Sequence, residues 1–167
     1  ADWTFTEEGG GSDQFIDHLY GYRFIHQVYT RAEAKFTGQI TVPVLWDKQQ
    51  QTIVNNESSE IIRMLNSAFD AFTDDRTDYY PEDLREAIDA INEPVYENIN
   101  NGVYRCGFAT RQEPYDAAVT ELFDTLDWLE ERLSTRRFLT GDAPTEADWR
   151  LFPTLVRFDA VYHGHFK

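Results

Sequence analysis

A chain of 167 residues, 41% hydrophobic and 15% aromatic, can bury a core in one domain or two small ones, which excludes a disordered chain. Its 30 acidic residues against 15 basic ones leave a net charge of -15, a surface that repels nucleic acid phosphates and anionic lipids. No apolar run approaches a membrane span, and the N-terminus has no basic-plus-apolar signal pattern.

Of the basic residues three are lysines (Lys35, Lys48 and Lys167) and twelve are arginines. An acidic, lysine-poor surface suits a high-salt cytoplasm, where screening removes most self-repulsion, and it also fits an ordinary acidic protein. Cys106 is the single cysteine, so no internal disulfide forms, in keeping with a reducing, cytoplasmic setting. Ala1 in place of Met points to a processed chain or a fragment.

The first 36 residues are mixed. Asp2-Trp3-Thr4-Phe5 alternates like a short strand, and residues 7–13, with three consecutive glycines, read as a loop. Phe15, Ile16, Leu19 and Tyr20 suggest a short helical patch, and residues 24–28 another. Over 39–54 the alternation of Ile40, Val42, Val44 and Trp46, followed by a turn at 47–51, predicts a β-hairpin. A helix over 57–69 follows, with Ile61, Ile62, Leu65 and Phe69 at helical spacing. At its start Asn56 or Ser58 is the expected cap, with Glu57 favouring the positive helix end.

Residues 70–82, polar and proline-containing, read as a linker between a small mixed unit (1–69) and a helical domain (83–167). Leu84, Ile88, Ile91, Val95 and Ile99 mark the first long helix, which Pro94 should kink by removing one backbone bond. Asn100-Asn101-Gly102 is the expected stop, and 103–109 a connection. Val119, Leu122, Leu126, Leu129 and Leu133 line one face of a second helix. The third opens at Thr145-Glu146-Ala147-Asp148, a capping box with an acidic third residue, and Leu151, Leu155 and Phe158 form its expected buried stripe.

Several chemistry-bearing signals fall short. His163 and His165 offer two ligand nitrogens with no third ligand tied to them, so no metal is expected. The acids at 74–75 and 82–83 lack calcium-loop spacing, Gly9-Gly10-Gly11 lacks phosphate-loop spacing, and Ser12, Ser58 and the histidines form no hydrolase motif. Arg105 beside Cys106 favours its thiolate, but a packed, inert thiol is the expected reading.

Four segments carry a resemblance: TVPVLWDK (41–48), TIVNNESSEIIRMLN (52–66), NNGVYRCGFAT (100–110) and LTGDAPTEADWRLFPTLVRFDAVYHGHFK (139–167). Together they resemble the glutathionyl-hydroquinone reductases, the xi class of the glutathione transferase superfamily. The resemblance implies an α+β, mostly helical fold: part of a thioredoxin-like domain, its β-hairpin and helix, then part of an all-α C-terminal domain. It implies a thiol-peptide site in which the backbone of Val42, turned outward by a cis bond to Pro43, pairs with glutathione like an added strand. Glu57 would then take the γ-glutamyl ammonium and Ser58 its carboxylate, with Trp3 packing beside the peptide. Tyr104 and Tyr162 correspond to residues near the aromatic substrate, where a phenol O–H can stabilise developing charge on a quinol oxygen.

The family's nucleophile is a cysteine in a Cys-Pro-Trp-Ala stretch, which the resemblance places upstream of Ala1; Cys106 matches no such position, and the family's last helices follow residue 167. The expected role is therefore part of an enzyme that removes glutathione from glutathionyl-hydroquinones, this chain alone being without turnover. Glutathione, or γ-glutamylcysteine if the high-salt reading holds, is the expected co-substrate. Its expected partners are the aromatic conjugate and, in the parent enzyme, a second copy in a homodimer, with no nucleic acid or membrane. A non-catalytic scaffold for binding or assembly is the alternative that the acidic surface leaves open.

Overall fold

A computed structural model of the chain describes residues 3–5 and 16–165, so the triple-glycine loop, Asp2, Ser12 and Phe15 lie outside the described residues. The chain divides into two compact units, Ala1–Ala68 and Phe69–Lys167.

In the first unit Thr4 makes an isolated antiparallel bridge with Phe24. The helical patch expected around Ile16–Tyr20 is instead a turn. The carboxylate of Asp17 accepts the backbone N–H groups of Leu19, Tyr20 and Tyr22, and Gly21, at a φ of 66°, supplies the left-handed step that closes it. Helix α1 spans His26–Ala32 and buries Val28 and Tyr29.

The hairpin is shorter than its alternation implies. Strand β1 (Leu45–Asp47) pairs antiparallel with β2 (Thr52–Asn55), and the register shifts between Leu45 and Trp46. Residues 40–44 stay out of the ladder because the Thr41 carbonyl accepts the Tyr29 hydroxyl at 2.8 Å and Pro43 has no N–H to give. The Val42–Pro43 bond is cis. The turn is held by Asp47, whose carboxylate accepts the N–H groups of Gln50 and Gln49; these bonds, Gln50 first, hold it below the usual carboxylate range.

Helix α2 covers Ser58–Ser67, starting one residue later and ending two residues earlier than its apolar spacing suggests, and Leu65 and Phe69 at that end are exposed. Its N-cap is Glu57, not Asn56 or Ser58. The Glu57 carboxylate reaches forward to the Ser59 N–H at 3.3 Å and the Ser59 hydroxyl at 3.2 Å. Asn56 is drawn away from capping by bonds to Tyr29 and Thr41.

The second unit is helical. After 3-10 turns at Asp70–Phe72 and Glu82–Leu84, helix α3 runs Arg85–Pro94 and continues as a π-helical segment, Val95–Asn100. Proline removes one i to i−4 bond at that point, and the winding changes there. Ile88, Ile91, Val95 and Ile99 are all buried, as their spacing requires.

The expected stop at Asn100-Asn101-Gly102 does not occur. Helix α4 (Gly102–Phe108) continues directly from it, so 103–109 is not a connection. These residues serve tertiary contacts instead of a turn. Asn100 donates to the carbonyl of Arg150 and to the Thr154 hydroxyl, and Gly102 is buried where its missing Cβ would lie 3.7 Å from Leu122.

Helix α5 (Gln112–Leu133) buries Ala118, Leu122, Thr125 and Leu129. Helix α6 (Glu146–Leu155) starts at the capping box, which is in place: the Asp148 carboxylate accepts the Thr145 N–H at 2.9 Å and, through its other oxygen, the Leu139 N–H at 2.9 Å. Of the expected stripe on α6, Leu151 is buried and Phe158 half-buried, but Leu155 is 41% exposed. The α-helix ends at Leu155 and the chain resumes as a π-segment at Phe158–Tyr162, so helical spacing no longer carries Leu155 to the core. A last short turn, α7, is His163–His165. No helix among the described residues is long and apolar enough to cross a membrane.

Candidate functional site

In the first unit, the polar groups that could meet a ligand lie on either side of one small hydrogen-bond network. Val42 is 45% exposed, and neither its N–H nor its C=O makes a hydrogen bond among the described residues. At the start of α2, the Glu57 N–H donates to Asn55 Oδ1 at 2.7 Å, and Glu57 Oε1 caps the helix, leaving Oε2 without a bond among the described residues. Ser58 is exposed, with its hydroxyl and N–H unbonded there as well. A helix start with an open N–H and hydroxyl at Ser58 beside the Glu57 carboxylate suits a ligand carrying both an anionic and a cationic group, such as an amino acid end.

No motif in the sequence marks the network between them. The Tyr29 hydroxyl donates to the Thr41 carbonyl, while Asn56 Nδ2 donates to Thr41 Oγ1 at 2.9 Å and to the Tyr29 hydroxyl at 3.2 Å. Its members are separated by 12, 15 and 27 positions, so no local spacing marks them. Trp3 sits apart from this network in its bonding. It is 57% exposed, and its carbonyl accepts the Ile25 N–H at 3.0 Å.

In the second unit Tyr104 and Tyr162 do come together. Their hydroxyls are 3.4 Å apart and their rings meet edge to face at 5.6 Å. Tyr162 is buried at 6% exposure and Tyr104 is 44% exposed, so the pair runs from core to surface. The hydrogen bond to Tyr162 and then burial push the Tyr104 phenol above its ordinary pKa. Replacing Tyr162 by Phe should lower the Tyr104 pKa, because the hydrogen bond that raises it most is lost. NMR titration of ring-labelled tyrosine checks this, and an unmoved Tyr104 midpoint refutes it.

Tyr162 also walls a cleft of about 190 Å³ whose lining includes Val103, Cys106, Leu122, Phe158 and His163. Cys106 is 5% exposed, and burial pushes its thiol up despite the opposing charge of Arg105. With thiolate scarce at neutral pH, Cys106 should react with an aromatic disulfide reagent more than about tenfold slower than an exposed cysteine. Colour release before and after adding denaturant measures the ratio, and equal rates would contradict the burial. Among the described residues no three His, Cys, Asp or Glu groups converge where they could hold a metal ion.

Residues 112–167 match the family model described as "Glutathione S-transferase, C-terminal domain". The chain is 59% identical over 165 residues to glutathionyl-hydroquinone reductase PcpF of Sphingobium chlorophenolicum, covering 99% of this chain and 52% of that protein. It is 52% identical to the glutathionyl-hydroquinone reductase YqjG of Escherichia coli K-12, covering 99% of this chain and 50% of that protein. The glutathione-bound structure of YqjG superposes with a TM-score of 0.93 over 98% of this chain and 53% of that one. A Xi class transferase from Natrialba magadii, 52% identical, gives a TM-score of 0.90 over 98% of this chain and 50% of that one. The chain spans about half the length of the curated relatives it matches.

Proposed function

Because the chain belongs, over the half that it spans, to the glutathionyl-hydroquinone reductases of the glutathione transferase superfamily, we propose that it carries their thiol-peptide and aromatic-binding residues. The observation that carries this reading is the set of open hydrogen-bonding groups at Val42, Glu57 and Ser58. A γ-glutamyl peptide has the matching groups: an ammonium for Glu57, a carboxylate for the Ser58 hydroxyl and N–H, and a cysteine backbone for the exposed edge at Val42. The open indole face of Trp3 gives such a peptide apolar cover.

The overall reaction is removal of glutathione from a glutathionyl-hydroquinone. A thiolate attacks the glutathionyl sulfur, the sulfur–ring bond breaks, and its electron pair takes a proton at the ring carbon to release the hydroquinone. A mixed disulfide remains, which a second thiol peptide resolves as its own disulfide. The attacking thiolate is not Cys106, whose burial works against the charged form. Tyr104 and Tyr162 serve the aromatic group: at 3.4 Å their mutual bond is long for two hydroxyls, and a quinol oxygen can replace it with a better one.

Calorimetric titration of the 167-residue chain tests the binding half of this reading. Glutathione and γ-glutamylcysteine should both bind, since the Glu57–Ser58 end meets the γ-glutamyl group they share. Preference for γ-glutamylcysteine would tie the site to the acidic, high-salt character of the chain. Failure of both to bind would defeat the reading and favour a scaffold role. Turnover of a glutathionyl-hydroquinone by this chain by itself is not expected, and its detection would overturn the exclusion of Cys106.

A further inference from the structure

We propose that Tyr29, Thr41 and Asn56 form a positioning clamp that sets the distance and orientation of the Val42 backbone relative to Glu57–Ser58. The proposal rests on the thiol-peptide reading of that site. Each member touches one side of the problem: Thr41 adjoins Val42, Asn56 adjoins Glu57, and Tyr29 comes from α1 beneath both.

The geometry explains how the clamp acts. The Thr41 carbonyl and the Val42 N–H belong to one planar peptide unit, and in a trans unit they point in opposite directions. The Tyr29 hydroxyl holds that carbonyl at 2.8 Å, so the Val42 N–H is turned away from Tyr29. Tyr29 is 3% exposed and its ring packs against Phe36 at 5.0 Å, so the hydroxyl is a fixed point. Turning away from a buried group presents the N–H at the surface, where Val42 is exposed.

Asn56 then couples this peptide to the helix start. Its Nδ2 spends both protons on the clamp, one on Thr41 Oγ1 and one on the Tyr29 hydroxyl. The next residue is Glu57, whose own N–H is held by Asn55. A ligand that spans from Val42 to Glu57 therefore meets two ends at a set spacing, whereas a ligand that reaches only one end is indifferent to it.

The test compares two probes on the full 167-residue chain. Glutathione spans both ends, and γ-glutamyl methylamide reaches only Glu57–Ser58. Tyr29→Phe, Thr41→Val and Asn56→Ala should each weaken glutathione about fivefold to tenfold, the worth of one or two neutral hydrogen bonds. The same variants should leave γ-glutamyl methylamide affinity, read by NMR shift titration, within about twofold of the unaltered chain. Thr41→Ser, which keeps the hydroxyl, should restore glutathione affinity.

Unchanged glutathione binding in all three variants overturns the clamp and leaves the site reading intact. Equal weakening of both probes overturns it too, because that pattern means local loss of structure. If the unaltered chain binds neither probe, the site reading falls and the clamp falls with it.

Discussion

Replacing Asp148 by Ala is expected to lower the stability of the helical unit by about 3 kcal/mol, a shift of roughly 10–20 °C in its unfolding midpoint. The size follows from what the carboxylate satisfies. Its two oxygens accept the N–H groups of Thr145 and Leu139, both at 2.9 Å, and both of those residues are buried. The Ala variant removes the acceptor of both donors, and each buried donor left unsatisfied costs about 1–3 kcal/mol. The loss also frees the segment before α6 from its start, since Leu139 is anchored to that helix by the same side chain. Asp148→Asn should be intermediate, because one amide oxygen can serve only part of the pair. Thermal unfolding followed by circular dichroism decides it. A shift of only a degree or two for the Ala variant would mean that the two donors find other partners.

Asp148 also illustrates what sequence could reveal. Thr145 and Asp148 are three residues apart, so their interaction is written into a local pattern, and the box is found where that pattern puts it. The same holds for the apolar repeat from Ile88 to Ile99, whose burial survives the change from α to π winding. Helical spacing stops being informative where winding changes more abruptly. Leu155 keeps its place in the pattern but the helix ends under it, and it is exposed.

The misread stop at 100–102 has a different cause. Asn-Asn-Gly is a natural helix end by local preference, but here Asn100 bonds across to α6 and Gly102 is buried beside Leu122 of α5. Tertiary contact overrides the local signal. Around the candidate site, similarly, the residues proposed to meet a peptide fall in the VP and NNESS segments, whereas the parts that Tyr29 and Thr41 play are marked by no local pattern. Their roles depend on a hydroxyl and a carbonyl meeting across 12 positions, a relation no local periodicity encodes.

The second large effect concerns ligand binding, and it turns on the double duty of Glu57. Its carboxylate caps α2 through the Ser59 N–H, and on the reading proposed above it also receives the γ-glutamyl ammonium. Glu57→Gln separates the two duties. The amide oxygen can still accept from Ser59, so the helix start should hold and the unfolding midpoint should stay within about two degrees. The negative charge is lost, however, and a charge-assisted bond becomes at best a neutral one, so glutathione affinity should fall about tenfold to a hundredfold. Glu57→Ala should match that loss of affinity and add the cost of an uncapped helix, about 1 kcal/mol. Raising the salt concentration should weaken the unaltered chain's binding but hardly that of the Gln variant, because only the former carries a charge pair to screen. Calorimetry on the three proteins measures all of this. If Glu57→Gln binds glutathione as tightly as the unaltered chain, Glu57 is a helix cap and nothing more, and the ammonium must be sought at another carboxylate.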